Sequence, residues 1–119
     1  MTVSDYNLTD HRHADIDKVS FSPAASVTAT GSSTPIVTDC GVARLTLDVT
    51  TATGDTLDVD IETREDSNDS WRVVGSFTQV TTSTGSERLC FAGLDREVRA
   101  TWTVTNVGPY DFTIEGELV

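Results

Sequence analysis

Residues 42–64 read VARLTLDVTTATGDTLDVDIETR. In the first half Ala43, Leu45, Leu47 and Val49 share one parity, and Arg44, Thr46 and Asp48 share the other. In the second half Leu57, Val59 and Ile61 alternate with Asp58, Asp60 and Glu62. Successive side chains of a strand point to opposite faces, so this period of two means one face in a core and one in water. The link TATGD, with Gly54 as its turn residue, predicts an antiparallel hairpin between the two strands.

Working outward, the same grammar recurs at intervals of 8–12 residues, the spacing of a sandwich or barrel. KVSFS (18–22) stops at Pro23, and ASVTAT (25–30) ends at Gly31-Ser32-Ser33. EDSNDS (65–70) is a polar loop. WRVVGSFTQV (71–80) puts Trp71, Val73 and Phe77 in one register, with a bulge or kink at Gly75. ERLCF (87–91), REVRATWTV (96–104) and YDFTIEGEL (110–118) complete the set. With 20 Thr and 14 Val in 119 residues, β-branched side chains favour strands throughout. The expected fold is all-β, an antiparallel β-sandwich of about eight strands with hairpin connections; an up-and-down barrel is the alternative. Its expected core is Leu45, Leu47, Leu57, Val59, Ile61, Trp71, Phe77, Val98, Trp102, Phe112 and Ile114.

Residues 1–17 stand apart as an N-terminal arm preceding a sandwich domain at 18–119. The arm carries both histidines, His11 and His13, with Tyr6, Leu8 and Ile16 as apolar anchors. These five residues are the expected partner contacts. The alternative is a first strand packed on the body. No apolar segment at the start resembles a signal peptide, and no run approaches the roughly 18 apolar residues of a membrane span.

The chain has 13 Asp and 6 Glu against 7 Arg and one Lys, a net charge of −11. Such a surface repels nucleic acid and anionic lipid, so neither is an expected partner. Short, strongly hydrated Asp with almost no Lys is the composition of a protein that stays solvated in molar salt. The chain therefore reads as halophilic; an acidic protein from a genome that disfavours Lys is the alternative.

Candidate chemistry is sparse. Asp58, Asp60 and Glu62, with Asp48 on a neighbouring strand, put carboxylates on one face. Ca²⁺ wants 6–8 converging oxygens, and strand neighbours two apart converge poorly, so a solvated face is the reading. Asp66-Ser67-Asn68-Asp69-Ser70 has Ca²⁺-loop residue types but lacks the required Gly and Glu, and reads as a turn. His11-x-His13-x-Asp15-x-Asp17 could ligate a transition metal but reads as an exposed arm. Cys40 and Cys90 read as free buried thiols, with a single bridge as the alternative. Two glycosylation sequons, at Asn7 and Asn68, are weak in a chain this rich in Ser and Thr. The expectation is no enzyme, no cofactor and no metal.

The stretches ARLTLDVTTATG (43–54), DTLDVDIETREDSNDSWRVVGSFTQVT (55–81), RLCFAGLDREVRATWTV (88–104) and FTIEGEL (112–118) resemble small β-sandwich virion proteins of tailed viruses of haloarchaea and actinobacteria. The resemblance spans Cys40 to Val119. It implies a non-enzymatic virion structural protein, a capsid decoration or minor capsid protein. Its implied partners are other virion proteins, the major capsid protein or neighbouring copies, in a homo-oligomer or high-copy assembly. Its implied location is the virion, assembled in the host cytoplasm. The alternative function is a carbohydrate-binding sandwich of a tail or host-surface protein. Such a module displays aromatics, whereas Trp71 and Trp102 both fall on expected inward positions.

The charge makes a direct prediction. Self-repulsion opposes compaction when unscreened, so the melting temperature rises between dilute buffer and molar KCl. Thermal melts across a salt series check this; a flat or falling curve removes the halophilic reading.

Overall fold

The computed structural model describes residues 17–106 and 108–119. Its strands are β1 (Asp17–Ser20), β2 (Gly31–Ser32), β3 (Ile36–Val37), β4 (Val42–Ala52), β5 (Thr56–Arg64), β6 (Arg72–Ser76), β7 (Gly85–Ala92), β8 (Glu97–Thr105) and β9 (Tyr110–Leu118). They form two antiparallel sheets. Sheet A has the order β1-β9-β4-β7; sheet B has β2-β8-β5-β6, with β3 also on β8. The all-β sandwich follows from the alternation: β4 buries Ala43, Leu45, Leu47 and Val49, and β5 buries Leu57, Val59, Ile61 and Thr63.

Gly54 is not a hairpin turn. β4 and β5 lie in different sheets, so residues 53–55 carry the chain across the sandwich. β6 to β7, β7 to β8 and β8 to β9 cross in the same way, and of the long strands only β5 and β6 form a hairpin. Two amphipathic strands that paired side by side would leave their common apolar face uncovered; crossing over lets each cover the other. The crossover is tight because Tyr110 runs beneath it. A Cβ on Gly54 would lie 2.6 Å from Tyr110 Cε2.

The early strands also differ from the sequence reading. Residues 25–30 are not a strand: Val27 makes a lone bridge to Tyr110, with Val27 N donating to Tyr110 O at 2.8 Å and Tyr110 N to Val27 O at 2.9 Å. The chain then leaves sheet A for sheet B. Gly31-Ser32, expected as a turn, is β2 on β8, where a Cβ on Gly31 would meet Trp102 Nε1 at 3.0 Å. Asp17, assigned to the arm by sequence, is the first residue of β1 and pairs with Leu118.

Between the sheets, two edge-to-face aromatic pairs join the layers. Trp102 of β8 meets Phe112 of β9 at 5.7 Å, and Phe77 meets Phe91 of β7 at 5.3 Å. Such pairs add about 0.5–1.5 kcal/mol each beyond burial. Thr63, buried and polar, is satisfied twice: its hydroxyl donates to Glu97 O and accepts from Asp95 N, both at 2.8 Å. It thereby ties β5 to the β7–β8 connection.

Tyr110 is fully buried, and its hydroxyl donates to Thr81 O at 3.2 Å. Burial, with the Asp55 carboxylate adding to it, raises its pKa above 10.0. The unfolded phenol ionises near pH 10 while the folded one keeps its proton to higher pH. The folded state is therefore fully favoured below about pH 10 and loses stability as pH rises through the folded value. Melting temperature falls above about pH 10. Tyr110→Phe removes that component at the cost of one hydrogen bond, about 1 kcal/mol near neutral pH. Paired pH–melt curves for the two proteins check it.

Candidate functional site

Strand register sets out the outer face of sheet B row by row. Val37 pairs with Glu97 and Glu97 with Arg64. In the next row Arg99 pairs with Glu62, and Glu62 with Val73. Paired residues of antiparallel strands share a face, so all these side chains project outward together. Arg64 Nε donates to Glu97 Oε1 at 2.8 Å, and Arg99 Nε and Nη2 both reach Glu62 Oε1 at 2.8 Å. The four side chains retain only 17–25% exposure. Over them lies Trp71, whose ring centre is 4.2 Å from the Arg64 guanidinium carbon and 4.3 Å from that of Arg99. A quadrupole face attracts a cation at this range. Arg72, the residue after Trp71, pairs with inward Thr63, holds Asp95 at 3.2 Å and donates to Gly93 O at 2.7 Å.

Trp71 was expected in the core, and the reason it is not is a bulge. Ile61 pairs with Gly75 but Glu62 pairs with Val73, which leaves Val74 as an extra residue in β6. An extra residue reverses the parity of everything before it. Phe77 therefore points inward while Trp71 and Val73 point outward. The bulge was legible at Gly75; its consequence for Trp71 was the missed step. Gly75 itself admits the Phe91 ring, which a Cβ would meet at 2.9 Å.

The carboxylates singled out by sequence do not converge. Asp48 lies in sheet A, away from Asp58, Asp60 and Glu62 in sheet B. Asp58 accepts from Gln79 Nε2 at 3.0 Å, Asp60 from Ser76 Oγ at 2.6 Å, and Glu62 is held by Arg99. Among the described residues no group of three or more His, Cys, Asp or Glu is placed to hold a metal ion. Residues 66–69 form the expected Asx turn, with Asn68 N donating to Asp66 Oδ1 at 2.8 Å and Asp69 N to Asp66 O at 3.0 Å. Cys40 and Cys90 are free, but neither is buried: Cys40 is partly exposed and Cys90 projects from the outer face of β7. Tyr6, Leu8, His11, His13 and Ile16 lie outside the described residues.

A cleft of about 310 Å³ opens where β7 leaves the edge of sheet A, with Leu47, Val49 and Val80 at its base. Glu87 bridges its mouth, accepting from Thr78 N and Thr78 Oγ1 at 2.8 Å each. An inward-pointing charge on an edge strand blocks further pairing. No protein-family model matches the chain, and no curated protein matches it either.

The placement of Trp71 is testable by stability. Trp71→Ala loses two cation–π contacts and part-buried area, about 1–2 kcal/mol. Phe77→Ala, in the core, costs about 3–5 kcal/mol. Denaturant unfolding of both variants checks the order; equal costs would put the indole inside.

Proposed function

We propose that the chain is a non-enzymatic structural protein of a tailed-virus particle, a capsid decoration or minor capsid protein that contacts neighbouring subunits. The observation that supports this most is where the resembling stretches fall. They run through β4 to β9, the strands that form most of the two-layer body, and residues 1–16 join that body at β1. β1 pairs with β9 and ends the strand order of sheet A. β1 thus brings the start of the described chain to a sheet edge, and the apolar residues Tyr6, Leu8 and Ile16 that precede it in sequence suit docking on a neighbour. Each contributes roughly 1.5–3 kcal/mol when fully buried, and high copy number multiplies weak contacts by avidity.

A carbohydrate-binding module is the second reading, and the outward Trp71 favours it. Against it, two guanidiniums already occupy the indole, where a sugar platform needs an open ring. Binding on a glycan array that disappears in Trp71→Ala would turn the assignment to this reading.

The virion reading predicts separable parts. Deleting residues 1–16, just before β1, leaves a cooperative melt and abolishes incorporation into particles. Particle proteomics and a thermal melt of the truncated chain check both halves. Failure to fold, or full occupancy without the arm, overturns the docking role.

A further inference from the structure

We infer that the outer face of sheet B is a self-association surface, on which a second copy of this chain docks about a twofold axis parallel to β5 and β8. The inference needs no virion: it stands or falls on this face alone. Among the described residues the large apolar side chains most open to solvent are Val37, at 65%, and Val73, at 52%. Both sit on this one face, at its opposite edges, on β3 and β6. Trp71, just before β6, reaches across to Arg64 on β5 and Arg99 on β8, so its indole lies over the seam between the two central strands.

A twofold axis above that seam, lying in the plane between two facing copies, lays β8 of each copy over β5 of the other. The row partners are then exchanged between copies. Glu97 faces the second copy's Arg64, and Arg99 faces its Glu62. Further along, Thr101 faces Asp60 and Thr103 faces Asp58, hydroxyl donors against carboxylates. No like charges meet along this seam, although each copy carries a net charge of −11. The same operation brings the two indoles together at the axis and sets the β3 edge with Val37 against the β6 edge with Val73. The outer face of sheet A repeats the in-row charge pairing, as Arg44 with Glu117, but adds no comparable apolar side chain among the described residues.

The area suits a modest affinity. β5 and β8 with nine residues each, β6 with five and β2 and β3 with two each, at about 4.8 Å between strands and about 3.3 Å per residue, give roughly 430 Å² per copy. The total, about 860 Å², is below the standard size of specific complexes, so the dimer is weak and salt-sensitive. Remote acidic groups repel at low ionic strength, and salt strengthens the association by screening them.

Sedimentation velocity on the full chain, with reductant present because Cys90 is exposed, tests this. Concentrations run from about 1 µM to about 1 mM, in about 0.1 M and about 2 M KCl. The expected result is a monomer–dimer equilibrium whose dissociation constant falls at least about tenfold with salt. Val37→Asp combined with Val73→Asp weakens it at least about tenfold, and both positions are exposed enough to leave the melt intact. Thr113→Asp combined with Cys90→Asp adds the same charge to the outer face of sheet A and leaves the dimer in place. A monomer throughout overturns the inference. So does a dimer that ignores the valine variant, or one lost on deleting residues 1–16 while the valine variant still dimerises.

Discussion

The architecture depends on one contact, the Tyr110 ring beneath Gly54. That ring is fully buried and lies where β4 hands the chain to β5. Its hydroxyl reaches Thr81, its backbone pairs with Val27, and its own strand runs beside β4. One residue thus joins the crossover, the N-terminal edge segment, the β6–β7 link and sheet A. Because the crossover is held closed, β4 and β5 become the inner strands of opposite sheets, and their apolar rows face each other. The aromatic pairs Trp102–Phe112 and Phe77–Phe91 then have fixed partners across the gap.

Charge is organised around the same scaffold. The scarce cations are drawn into cross-strand pairs: Arg44 and Arg88 share Glu117 on sheet A, while Arg64 and Arg99 take Glu97 and Glu62 on sheet B. The half-exposed arginines of sheet A contribute little to stability through such pairs, typically 0–1 kcal/mol, whereas the pairs of sheet B are largely covered. Their effect is on surface character. The pairs neutralise only part of the two outer faces: Asp58 and Asp60 of β5, held by Gln79 and Ser76, and Asp48 of β4 keep negative charge there, and Glu65, Asp66 and Asp69 add to it in a loop.

A single inserted residue decides what one of those faces presents. Were β6 regular, with Val74 paired to Glu62, Trp71 and Val73 would share the inward face of Phe77. With the bulge, an aromatic ring and an exposed valine join the ion-pair rows outside. Gly75, on the regularly paired side of the bulge, shares the inward face of Phe77 and admits the Phe91 ring. Trp71 therefore stands on the outer face while Phe77 stays in the core.

The sequence by itself determined the all-β class, the long strands β4, β5, β8 and β9, and nearly all of their core side chains. Each of these is written in a period of two that any pleated strand must obey. The acidic character and the Asx turn at 66–69 were equally local, since composition and short-range hydrogen bonding carry them. Only the tertiary structure decided that β4 and β5 belong to different sheets, that residues 25–30 bridge rather than pair, and that Asp48 stands apart from Asp58. It alone assembled Arg64 and Glu62 of β5, Arg99 and Glu97 of β8, and Trp71 just before β6. The physical reason is that alternation states which face a side chain takes within its own strand. Which strands become neighbours is decided by what covers each apolar face, and that depends on the whole chain.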